Sequence, residues 1–264
     1  MKKLLLLSII ALLTACAGVP RPTTPNQPSA GPPPYDAWTR VLQKFVDDQG
    51  RVNFKQLAQD RADLDQFVAY IYDFGPNNQA PSFPSRNHVL AYHLNAYNAL
   101  AMHKVLAAGI PESLSGLKKV SFFAFGKVQV GGQAISLYDY ENKVIRPLGE
   151  ARVHMALNCM SISCPRLPKT AFLPDQLEQQ LQQETQYFVA EARNVTVDDS
   201  KQVLQLSEIF QFYTADFLQS APSLAAWINR YRTKAVPENY SVTFTPYDWG
   251  INAQPSGQPS RQAQ

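Results

Sequence analysis

The sequence predicts an α+β fold: a single domain with helices packed around a small, mostly antiparallel sheet, and one buried central helix. Three observations carry this. NHVLAYHLNAYNALAMHKVLAAGIP, from Asn87, is apolar all round rather than along one stripe, as a helix enclosed by other elements must be. Short alternating apolar runs bounded by glycine, proline and asparagine read as strands. Between the Pro-rich segments at either end, the chain is long enough for one sizeable core and shows no repeat or second linker.

Tyr35 to Asp48 carries Trp38, Val41, Leu42 and Phe45 at helical spacing, and Gly50 stops it. A second helix follows from Phe54 to Tyr72, ended by Gly75 and Pro76. The central helix runs from Asn87 to near Ala108 and closes at Gly109 and Pro111. At about 100° per residue, His88, Tyr92, Asn95, Ala99 and His103 fall within a sector of roughly 80°, so the polar groups share one edge. VSFFAF and KVQVGGQAISL predict a small sheet with a hairpin at Gly131 and Gly132. LYDYENKVIRPLG predicts a short helix with Asp139, Glu141 and Arg146 available to pair. RVHMALN predicts a strand that points Val153, Met155 and Leu157 one way and Arg152, His154, Ala156 and Asn158 the other, so that His154 and Asn158 share a face. Beyond it come a helix from Pro174 to Ala192, a hairpin in NVTVDDSKQVLQLS, helices in SEIFQFYTADF and SLAAWINRYR, and a closing strand in YSVTFTPYDWGIN.

The first residues, MKKLLLLSIIALLTAC, place two lysines before an apolar run too short to span a bilayer, which is the pattern of a secretory signal over residues 1–15. Leu13, Thr14, Ala15 and Cys16 resemble the lipobox of bacterial lipoproteins. That resemblance implies acyl chains, palmitate among them, on Cys16 at the start of the mature protein; several chains on one residue anchor stably where one would not. Ala17 stands where an aspartate would retain such a protein at the inner membrane, so the sorting resemblance implies the outer membrane, facing the periplasm. Residues 16–34 then read as the lipidated cysteine and a Pro-rich disordered tether, 35–252 as the globular domain, and 253–264 as a disordered tail.

The chain has 24 basic and 21 acidic side chains; without Lys2 and Lys3 the balance is 22 to 21. So small an excess leaves no electrostatic footprint for nucleic acid. No pattern calls for a cofactor. The expected partners are the membrane, through the lipid, and an envelope peptide or protein as ligand; the oligomeric state stays open.

Of three cysteines, lipid takes Cys16, leaving Cys159 and Cys164 in RVHMALNCMSISCP. Three readings are open. In the first, Cys159 is a nucleophile with His154 as base and Asn158 or Asn95 as the group that orients the imidazole. A bend after Asn158 is then required, because residues of odd separation face opposite sides of a strand. In the second, a metal is held; but H-x4-C-x4-C lacks zinc-knuckle spacing, and His88 and His103 are roughly 22 Å apart along one helix. In the third, Cys159 and Cys164 form a disulfide around a small loop in an oxidising compartment, stabilising the fold by about 2 kcal/mol. That pair could also cycle, although its spacing is not that of CxxC redox motifs.

HLNAYNAL, SLYDYENKVIR, RVHMALNCMSISCP, LSEIFQFYTADF and YDWGIN, in this order from His88 to Asn252, resemble the domain-of-unknown-function 547 family. The resemblance implies an exported bacterial α+β domain and supplies no activity. A fainter likeness, a buried helix followed by strands of which one carries a histidine, is similar to the layout of papain-like and transglutaminase-like thiol enzymes; this helix has no cysteine near Asn95 or Ala96. The function expected is a thiol-dependent hydrolase or acyl transferase on a peptide-like envelope substrate; the alternative is a non-catalytic, disulfide-stapled binding or scaffold module.

Overall fold

The computed structural model describes residues 18–25 and 27–255. The signal segment, Cys16 and the last nine residues lie outside the described residues. The fold is mixed helix and strand, as expected, and its helices surround two small sheets rather than one.

Helix α1 (Tyr35–Phe45) buries Trp38, Val41, Leu42 and Phe45, the predicted stripe. The next segment is two helices, α2 (Phe54–Gln59) and α3 (Ala62–Asp73), where one was expected. The break at Asp60 lets its carboxylate meet Lys44 of α1 at 2.5 Å and returns α3 against α1, where Trp38 stacks on Phe67. Helix α4 (Arg86–Ala107) starts at Ser85, whose hydroxyl accepts the His88 N–H, and every residue from Leu90 to Val105 is buried. Nothing amphipathic orients such a helix; neighbours on all sides do.

VSFFAF is helical, not extended: α5 (Leu117–Val120) continues into a wide π-type turn over Ser121–Phe125. The cause is the buried amine of Lys104, which donates to the carbonyls of Phe122 and Gly126, groups that a strand would give to a neighbour. Burial lowers this amine to about 8. The hairpin is as predicted: β1 (Lys127–Val130) pairs antiparallel with β2 (Gln133–Ser136) through Gly131 and Gly132, both at positive φ. At φ +56° a side chain on Gly131 would be strained, and its Cβ, 2.1 Å from the Asn77 amide oxygen, would have to displace that side chain. A short α6 (Leu137–Asp139) runs into a π turn over Tyr140–Ile145 and a 3₁₀ turn over Arg146–Leu148.

RVHMALN is the main departure. Ala151–Met155 is a 3₁₀ helix, so His154 and Asn158 do not share a strand face. Glu150 fixes its start, accepting both the Arg152 N–H and the Arg152 guanidinium. The alternation read as one-sided burial has another origin: Val153 packs into the core around α4, and Met155 into a second core. That second core is formed by α7 (Leu177–Ala190), β3 (Val195–Asp198), β4 (Val203–Ser207), α8 (Glu208–Phe212), α9 (Thr214–Leu218) and α10 (Leu224–Asn229). β4 is central, antiparallel to β3 and parallel to β5 (Ser241–Thr245).

After β5 the chain is held by isolated bridges, Gly250 to Ser113, Ile251 to Ser161 and Ala253 to Val52. Gln254 is also bonded, to Val52, so the start of the expected disordered tail is pinned. The Pro-rich segment is corrected more strongly. It is extended but lies along the domain: the Val19 N–H meets the Lys127 carbonyl at 2.8 Å, Tyr72 donates to the Val19 carbonyl, Arg21 forks onto Asp73, and Tyr70 donates to the Gly31 carbonyl. Proline has already lost much of its backbone freedom, so ordering this strap costs little entropy.

Candidate functional site

The two cores meet along a cavity of about 340 Å³ whose wall includes Tyr97 of α4, Glu141 and Arg146 of the turns after α6, His154, Cys159, Cys164, Tyr213 and Tyr247. Four more aromatic rings, Phe123, Tyr138, Phe212 and Trp249, line it together with Lys119. Three of the predicted site residues, His154, Cys159 and Cys164, therefore share one pocket.

Asparagines shape the cysteine loop rather than the imidazole. Asn98 of α4 donates to the Ala156 carbonyl and accepts the Asn158 N–H at 2.7 Å. The Asn158 amide donates to the Pro165 carbonyl and accepts the Met160 N–H. That last bond supports Met160 at φ +70°, a strained conformation for a side chain of its size. Asn95 clamps the Phe172 backbone through both its oxygen and its nitrogen. Neither Asn95 nor Asn158 hydrogen-bonds His154, so the orienting role expected for them falls to another residue.

That residue is Asp216. His154 Nε2 lies 2.8 Å from Asp216 Oδ2, and Arg146 forks onto the same carboxylate at 2.7 and 2.9 Å. The bonds from His154 and then Arg146 hold the Asp216 carboxyl far below the usual carboxylate range. The imidazole stacks on Tyr213 at 3.7 Å between centroids and meets the Phe217 edge. With Nε2 donating to Asp216, Nδ1 is left buried and without a hydrogen-bond partner among the described residues. Glu141, expected to pair with Arg146, instead accepts from two tyrosines, Tyr97 at 3.1 Å and Tyr213. Asp139 pairs with Lys143.

The two sulfurs are 2.7 Å apart, and Cys159 and Cys164 are free thiols. The staple expected at this loop is thus not formed, although its two ends touch. Cys159 is half-buried and Cys164 buried. Around Cys164 Sγ the Cys159 N–H lies at 3.0 Å, the Tyr247 hydroxyl at 3.0 Å and the Ser161 hydroxyl at 3.5 Å. Burial alone would raise this thiol, but bonds from Cys159, Tyr247 and Ser161 outweigh it and bring it below the ordinary thiol value. Cys159 moves the other way, pushed up by burial and by its neighbour. Of the two thiols, Cys164 is the one whose anion these surroundings favour. No hydrogen bond joins His154 to either sulfur among the described residues.

Among the described residues no three His, Cys, Asp or Glu side chains cluster as metal ligands, and no helix is long and apolar enough to cross a membrane. Sequence reasoning did not assign Asp216, Tyr247 or Tyr213 to the site. Their only signal was membership of the segments LSEIFQFYTADF and YDWGIN, since their partners lie far away in sequence.

Residues 81–189 match the model of a family described as "Protein of unknown function, DUF547". No curated protein and no solved structure matches the chain. The match takes in α4, the π turns and the cysteine loop, and stops before Asp216 and Tyr247, short of the reach to Asn252 that the resemblance implied. The segment that supplies the central helix and both pocket cysteines, residues 81–189, belongs to the DUF547 family.

Proposed function

We propose that this chain is a periplasm-facing lipoprotein whose pocket performs thiol–disulfide exchange with a peptide-like envelope partner, with Cys159 and Cys164 as the exchanging pair. The observation that carries the chemistry is the 2.7 Å contact of the two sulfurs in a pocket wall, where the Tyr247 and Ser161 hydroxyls reach both and the Cys159 N–H points at Cys164 alone. In the oxidised form, a partner thiolate attacks the sulfur of Cys159, the less buried residue of the pair. The S–S bond breaks, and Cys164 leaves as a thiolate received by Tyr247, Ser161 and the Cys159 N–H. A second partner thiol then attacks the mixed disulfide and frees Cys159, so that two electrons pass from the partner to the pair. A leaving thiol of low pKa departs faster, and a stabilised reduced form makes the disulfide more oxidising.

Acyl transfer with His154 as base has less support, because the Nε2 of His154 is committed to Asp216 and neither ring nitrogen bonds a sulfur. The lipid on Cys16 and the outer-membrane location rest on the sequence pattern alone. The test mixes the oxidised protein with a reduced dithiol peptide and follows peptide disulfide by mass. Exchange predicts transfer that is abolished in Cys159→Ser and slowed in Tyr247→Phe. Release of acyl product from peptide thioesters without disulfide transfer favours the hydrolase instead, and inertness in both assays favours a binding module.

A further inference from the structure

Three of the large apolar side chains that the described residues leave exposed fall within one short stretch: Leu117 is 89% exposed, Phe125 62% and Val120 44%. They stand on the outer side of α5 and the π turn that follows, while Phe122 is buried behind them and the Lys104 amine locks the turn from inside. Lys118 and Lys127 are exposed beside them, and neither makes an ion pair among the described residues. From Ile110 to Tyr138, Glu112 is the single acidic residue.

The strap ends at this corner. Val19 bonds the Lys127 carbonyl, and a Cβ on Gly18 would lie 2.9 Å from the same oxygen. Cys16 is two residues further along the chain, so backbone length alone keeps its Cα within about 7 Å of that of Gly18. From these relations we infer that the face of Leu117, Val120 and Phe125, ringed by Lys118 and Lys127, docks on a bilayer carrying anionic headgroups. The apolar side chains enter the headgroup boundary and the lysines meet the lipid charge, the pattern of an interfacial segment. Lipid on Cys16 would enter the bilayer beside Phe125, so the domain would lie on the membrane instead of hanging from a leash. The same stretch lends Lys119 and Phe123 to the pocket wall, which brings the pocket to the membrane side.

This inference uses the reading of Cys16 as lipidated, and the experiment separates the two. The full chain carrying Phe125→Trp, an exchange of one exposed ring for another, is expressed with its signal and reconstituted into vesicles of phosphatidylethanolamine and brominated phosphatidylglycerol. The native chain, with its three tryptophans, provides the subtraction. Intact mass of the same preparation reports the acyl chains. The expected result is a blue shift of the added indole and loss of roughly half its emission, both reversed when Leu117→Glu is also present. Acyl chains on Cys16 with an unshifted, unquenched indole overturn the docking face. Quenching without acyl chains upholds the face and rejects the anchor. A concentration-dependent blue shift before vesicles are added overturns the proposal in favour of a second copy of the chain.

Discussion

His154 and Asp216 are 62 residues apart in sequence and 2.8 Å apart in space. Their bond ties the turn ahead of the cysteine loop to α9, and Arg146 closes the arrangement from a third segment. Asp216 thus joins the two cores at their seam, beside Glu141, which accepts from Tyr97 of one core and Tyr213 of the other.

Asp216→Asn keeps the shape and removes the charge that two donors face. Loss of a largely buried ion-pair partner should cost about 3 kcal/mol in urea unfolding. Since the folded carboxyl titrates well below its unfolded value of about 3.9, its contribution is complete above that pH and is lost as pH falls below it. The gap between wild type and variant should be constant at neutral pH and narrow below about pH 4. A gap that widens in acid would contradict the assignment.

Tyr247→Phe removes the hydroxyl that faces both sulfurs. With one donor fewer, the Cys164 thiolate should form at higher pH. Ultraviolet thiolate absorbance, followed against pH in the reduced protein, should show a midpoint displaced upward by about half a unit to one unit. An unchanged midpoint would mean that the hydroxyl does not donate to the sulfur.

Asn98→Ala and Asn158→Ala each leave buried backbone groups of the cysteine loop unpaired. Each should lower stability by roughly 1–3 kcal/mol, and the double variant should lose less than the sum, because both act on one loop. Strict additivity in denaturant titrations would show that they do not share a network.

Lys104 provides a test in alkali. Its amine holds its proton to about pH 10.4 when unfolded and to about 8 when folded, because burial disfavours the charge. The unfolded chain therefore binds more protons between those values, and this group adds stability as pH rises through them. The stability of wild type relative to Lys104→Met should increase by roughly 1–3 kcal/mol over this window. A flat difference would mean that the amine stays solvated.

Where one face of an element alone decides its burial, the sequence was a good guide: the α1 stripe, the hairpin at Gly131 and Gly132, and the β3–β4 hairpin all form as read. α4 was legible for the opposite reason, being apolar on every side. The misreadings share a cause, in that a distant group takes over local backbone bonding. Lys104 turns VSFFAF into a helix, Glu150 winds RVHMALN into a 3₁₀ turn, and Tyr70, Tyr72 and Asp73 lay down a Pro-rich strap that by composition alone would be free. The site followed the same rule. The cysteines and His154 were visible as a local motif, whereas Asp216 and Tyr247 enter through tertiary contacts that no spacing encodes.

Thiol–disulfide exchange is tested by equilibrating the purified protein in dithiol–disulfide buffers of graded potential, quenching with an alkylating agent and weighing it intact. Exchange requires one two-electron transition in which Cys159 and Cys164 lose their labels together, at a potential that Tyr247→Phe makes more reducing. Two labels retained at every potential, or one label lost without the other, would contradict it.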